Sequence, residues 1–143
     1  MATLGFRLAE GNPVVKIYPE ASAQTFVAGD LVYLVSGKVT IVANDTSIVG
    51  IAGKGDVSTD AEIPVYIITP EQTYVCEIDT TSATSQVGVD YGLNISTGSM
   101  SVDQGDETTT AVTVVDLVDA AGTTSKPRVL VKFHVEHLDM YAA

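Results

Sequence analysis

The chain has 143 residues, 45% of them hydrophobic, and a formal net charge of -11. That length suits one domain, or two small lobes sharing a core. Its seven basic residues, Arg7, Lys16, Lys38, Lys54, Lys126, Arg128 and Lys132, are scattered; nucleic-acid backbones and anionic lipid surfaces need clustered cations, so partners of both kinds are excluded.

The first 24 residues read as an extended arm. Pro13 and Pro19 bracket Val14–Tyr18, with Gly5 and Gly11 nearby. Proline removes a backbone donor, so a strand here belongs at a sheet edge. Such a segment lies across its own domain or reaches for a partner. The opening residues lack the basic start and apolar core of a signal peptide, and nothing is long enough to span a bilayer, so a cytosol-like, non-secreted setting is expected.

Residues 25–143 read as the β domain. Leu31–Val35 and Lys38–Val42 flank Ser36-Gly37, the signature of a two-residue hairpin turn, and Ile48–Ile51 should return beside them as a meander. Ile63–Thr69 and Thr73–Ile78 flank Pro70-Glu71-Gln72 as a second hairpin, which would set Tyr74 and Cys76 near Ile63, Val65 and Ile67. The polar connector 79–86 is the candidate boundary if the domain is two-lobed. Next, Val87, Val89, Tyr91, Leu93 and Ile95 alternate onto one face; Thr97-Gly98 turns the chain, and Met100 and Val102 point inward. The alternation slips between Val114 and Val115, as at a bulge. The last strand places Val129, Val131, Phe133 and Val135 inward.

The apolar residues chosen agree with this reading. There are 21 Val and 17 Thr, against no Trp and 3 Phe. β-branched side chains lose freedom in a helix and fit a pleated surface, and no stretch carries the spacing of a long helix. The expected fold is all-β: a small antiparallel β-barrel or sandwich built from hairpins, with an extended N-terminal arm. The single Cys76 shares a strand face with Tyr74 and Ile78, which reads as a buried, inert thiol.

Few residues suggest chemistry. His134, Glu136 and His137 are metal-type ligands in company, but on a strand His137 points away from the other two. A strand ending at Val135 would free that geometry; ordinary surface polarity is the preferred reading. Asp103, Asp106 and Glu107 faintly resemble a calcium loop without its ligand ladder. No nucleophile elbow or phosphate loop is present, so neither an enzyme nor a cofactor is expected. What stands out is apolar: Phe6, Leu8, Val14, Val15, Ile17 and Tyr18 in the arm, and Leu138, Met140 and Tyr141 at the tail. They either cap the ends of the domain or contact another subunit.

The run A-G-D-L-V-Y-L-V-S-G-K-V-T-I-V-A-N-D-T-S-I-V-G-I-A-G resembles the small capsid decoration, or cement, proteins of tailed bacteriophages. Gly29, Asp30, Val32 and Tyr33 match the strand opening of that pattern, and Val49, Gly50, Ile51 and Ala52 its short return. The resemblance implies a structural virion protein on the outer surface of an expanded capsid, made in the host cytoplasm. Its partners would be the major capsid protein and further copies of itself, as a trimer or dimer. In that role the arm Thr3–Tyr18 supplies contacts, and deleting it should abolish capsid binding while leaving the core folded. The alternative is a small β-barrel module recognising a carbohydrate or peptide.

Overall fold

The structure, a computed structural model, describes residues 5–140. Its strands in chain order are β1 (Arg7–Glu10), β2 (Val15–Pro19), β3 (Leu31–Val35), β4 (Lys38–Ile41), β5 (Gly50–Ala52), β6 (Glu62–Ile67), β7 (Thr73–Glu77), β8 (Asp90–Asn94), β9 (Ser101–Asp103), β10 (Val112–Leu117) and β11 (Arg128–Phe133). They form a six-stranded antiparallel sheet, ordered β1-β7-β11-β10-β8-β9, and a five-stranded one, ordered β2-β6-β5-β3-β4. The fold is all-β, as the composition predicts, and sandwich-like; neither sheet closes into a barrel. Each curls until distant segments meet at one parallel bridge, Glu20 with Val39 and Ile78 with Val102.

Two apolar clusters result. The larger lies between the sheets, where Tyr74, Cys76, Val112, Val114, Val131 and Phe133 meet Leu31, Ile51 and Ile68. The smaller lies on the other face of the five-stranded sheet and contains Phe26, Val32, Ala52, Ile63, Val65 and Ile67. β3 and β5 are thus buried on both faces, which is why Leu31-Val32 and Gly50-Ile51-Ala52 do not alternate. At roughly 1.5–3 kcal/mol for each fully buried Val, Leu or Ile, these clusters supply the main force holding the sheets together.

Local signals in the sequence are realised closely. Ser36 and Gly37 both take positive φ, 51° and 77°, the primed turn whose twist matches a hairpin. β10 slips register against β11 between Val114 and Asp116, at the place where the alternation breaks. Cys76 is fully buried, and burial pushes its thiol pKa up, with Glu77 adding to the shift.

Longer-range expectations are corrected. β5 pairs with β3, not β4, so β3, β4 and β5 are not a meander. The crossing segment is drawn over the larger core, where the Asp45 carboxylate accepts the Leu93 amide at 2.9 Å. Pro70 does not turn a hairpin either: β6 and β7 belong to different sheets. Ile68 is buried at that corner and the Thr69 amide donates to the Tyr74 hydroxyl at 3.0 Å, turning the chain from one sheet to the other. Tyr74 and Cys76 therefore sit in a different cluster from Ile63, Val65 and Ile67. The change of sheet falls at 67–73, whereas the connector 79–86 joins two strands of the six-stranded sheet. Val87 and Val135 are exposed rather than inward, because 3-10 turns at Thr84–Gln86 and Val135–His137 interrupt the alternation.

Candidate functional site

The arm divides between the sheets. β1 is an edge strand of the six-stranded sheet, with Leu8 opposite Tyr74. Phe6 is buried, its ring centroid 5.5 Å from that of Phe133, and Leu8 packs against the same core. Phe6 is therefore core and drops out of the contact set, as does Leu138, which is also buried. Val14, Val15, Ile17 and Met140 are exposed. Tyr18 packs against the smaller cluster. Tyr141 lies outside the described residues.

β2 is the terminal strand of the five-stranded sheet. Its register sets Lys16 opposite Val65 and Tyr18 opposite Ile63, while Val15 faces Tyr66 and Ile17 faces Pro64. Directly paired residues share a face, and Val65 and Ile63 face the smaller core. Val15, Ile17 and Tyr66 consequently stand together on the opposite face, in line with Ile51 and Leu31 but exposed at its margin. Ile17 is 62% exposed, the most of any large apolar residue described. Beside them, Phe6, Leu8, Pro13, Gly29, Ala52 and Tyr66 line a groove of about 540 Å³. Tyr66 was missed in the sequence. Its signal was there, in its opposite phase to Ile63, Val65 and Ile67.

Asp30, the acid of the Gly-Asp pair at the start of β3, is buried. Its carboxylate accepts the Val27 amide at 3.0 Å and, from across the sandwich, the Gly98 amide at 3.0 Å. Burial raises its pKa above the usual value, against the opposing pull of those amides. The Leu31 amide donates to Met100 Sδ at 3.1 Å close by. Asp30 and Leu31 therefore tie the start of β3 to the segment around Gly98 and Met100.

The carboxyl end rearranges the histidines. The strand stops at Phe133, and the 3-10 turn Val135–His137 follows. In such a turn residues three apart eclipse. His134 and His137 therefore stack, with ring centroids 6.4 Å apart. Glu136 Oε1 lies 3.9 Å from His134 Nδ1 and 4.0 Å from His137 Nε2. The strand geometry that set His137 apart does not apply. Among the described residues this is the one group of three such ligands within 4.8 Å of one another. Asp103, Asp106 and Glu107 are not gathered so; Asp103 accepts the Gly105 amide, and Asp106 those of Thr108 and Thr109, as loop caps.

No protein-family model matches this chain, and no curated protein matches it.

Proposed function

We propose that this chain is a structural virion protein, a capsid decoration protein and not an enzyme. It binds the outer surface of an expanded tailed-phage capsid and clamps neighbouring copies of the major capsid protein, as a homo-trimer or dimer. The observation that carries this reading is the exposed set of Val15 and Ile17 on the terminal strand β2 with Tyr66 beside them on β6. A strand edge offers unpaired backbone groups to another chain, and contiguous exposed apolar side chains mark a contact surface. The likeness of residues 28–53 to decoration proteins supplies the kind of partner. A net charge of -11 keeps free copies soluble. A protein that binds only the assembled shell stabilises it by mass action, and a specific contact needs on the order of 1,000 Å² of buried surface.

Purified protein mixed with expanded capsids lacking it should co-sediment and add density to the shell by electron microscopy. Deleting Thr3–Tyr18 is a poor test of the contact, because it also takes Phe6 from the core. Substituting Val15→Lys together with Ile17→Lys is selective: capsid affinity should fall at least about tenfold with the fold intact. Failure of the wild-type protein to co-sediment overturns the capsid reading. The apolar groove favours a second reading, a module holding an extended peptide. A monomer in light scattering that ignores capsids but binds apolar peptides would select it.

A further inference from the structure

We propose that His134, Glu136 and His137 form a binding site for a divalent transition-metal ion, zinc by ligand type. The turn eclipses the two imidazoles and sets Glu136 Oε1 3.9 Å from one nitrogen and 4.0 Å from the other. Around a tetrahedral zinc ion with bonds of about 2.0–2.1 Å, donor atoms sit roughly 3.4 Å apart. The three donor atoms lie within 4.8 Å of one another, so closing them onto an ion takes between about half and one and a half ångströms of side-chain movement; Glu136, 65% exposed, is free to supply its share.

Hydrogen bonding around His134 prepares it as a ligand. Thr113 Oγ1 lies 2.6 Å from Asp90 Oδ1 and 2.9 Å from His134 Nε2. A hydroxyl carries one proton, and the carboxylate can only accept. Thr113 therefore donates to Asp90, and His134 Nε2–H donates to Thr113. In the neutral imidazole this leaves Nδ1 as the acceptor, 3.9 Å from Glu136 Oε1. A bare nitrogen and a carboxylate that close repel unless a proton or a metal ion lies between them. Asp90 also comes within 3.4 Å of Nε2, completing the carboxylate-backed imidazole common behind metal-ligating histidines.

The turn is held in place by the segment between β4 and β5. The Ile48 amide donates to the His137 carbonyl at 2.9 Å, the Asp139 amide to the Ile48 carbonyl at 2.9 Å, and Ser47 Oγ to Asp139 Oδ2 at 2.7 Å. Buried Leu138 anchors it. Three protein ligands leave one position of a tetrahedral ion for water. An ion bound there would fasten the turn to the end of β11 and stabilise the fold by mass action.

The test uses the full chain after chelator treatment, titrated with zinc by calorimetry, with magnesium as the hard-cation control. Wild type should bind one zinc per chain, raise its melting temperature with zinc, and show a tetrahedral cobalt(II) absorption spectrum. His137→Ala and Glu136→Gln should fold normally by circular dichroism while losing site affinity. Thr113→Val removes no ligand and should weaken zinc binding by about tenfold to a hundredfold. Absence of zinc binding by wild type overturns the site, as does unchanged binding by His137→Ala. One zinc per two chains overturns it equally, since the ion would then lie between copies.

Discussion

The two halves of the arm make an instructive pair. Both are short, both carry large apolar residues, and each forms an edge strand of one sheet. Yet Phe6 and Leu8 look into the larger core, while Val15 and Ile17 look out. Cover makes the difference. Leu8 lies opposite Tyr74, which is buried in the larger core, whereas Val15 lies opposite Tyr66, in line with Ile51 and Leu31 of that same core but beyond the cover that buries them. Apolar character is thus poor evidence of burial in an edge strand; what packs over the face decides.

The largest test of this contrast compares Phe6→Ala with Ile17→Ala. Removing the buried ring should cost about 3–5 kcal/mol, through lost burial and the cavity left against Phe133. Removing the exposed side chain should change stability by no more than about 0.5 kcal/mol. Urea denaturation of both variants measures this, and equal costs would break the contrast. A milder cut acts at the root of the arm. Gly5 holds φ at +72°, and an added Cβ would come 2.7 Å from the Gly29 carbonyl oxygen. That oxygen accepts the Phe6 amide at 2.9 Å. Gly5→Ala should therefore cost about 1–3 kcal/mol, with amides of β1 losing hydrogen-exchange protection first. If β1 stays protected, the arm is not rooted there.

What the sequence reveals here is mostly local. Ser36-Gly37, the slip at Val114 and the inward set Val129, Val131 and Phe133 follow from turn chemistry and side-chain period alone. The crossing to β5 and the corner at Pro70 do not. They depend on Asp45 reaching Leu93 and on Thr69 reaching the Tyr74 hydroxyl, the first a contact between residues 48 apart in sequence. The histidine cluster was hidden for the same reason. Its residues were legible as ligands, but the turn that assembles them is fixed by Ile48, far back in the chain. Exposure in the arm was half legible: proline marked the edge strand, and only pairing with β6 told which side chains face out.

A pH experiment separates the buried frame beneath the arm from the exposed surface. Burial holds the Asp30 pKa above its unfolded value, so the folded chain binds that proton more tightly. Its contribution to stability is therefore fullest below the ordinary carboxylate pKa and falls as pH rises through the raised value. Asp119 has the opposite sign. Its hydrogen bonds to Arg128 hold it at about 2, so its contribution is present above the ordinary value and fades as pH drops toward 2. Asp30→Asn should remove the first slope and leave the second, and Asp119→Asn the reverse. Asp30→Ala, which abandons the Val27 and Gly98 amides, should cost about 1–3 kcal/mol more than a surface change. A flat profile in wild type would mean that Asp30 is solvated.

The smallest effect reads the same contrast without perturbing it. Cys76 lies in β7, the strand that β1 covers, and its thiol is buried with a raised pKa. Only the thiolate reacts with a disulfide reagent, so labelling requires the core to open. Native wild type should label no faster than it unfolds, and Ile17→Ala should label at the same rate. Phe6→Ala should label faster in proportion to its lost stability, provided opening and reclosing outpace the chemistry. A native thiol that labels at the rate of a free cysteine would show that β1 does not seal the sheet edge, leaving the whole arm on the surface.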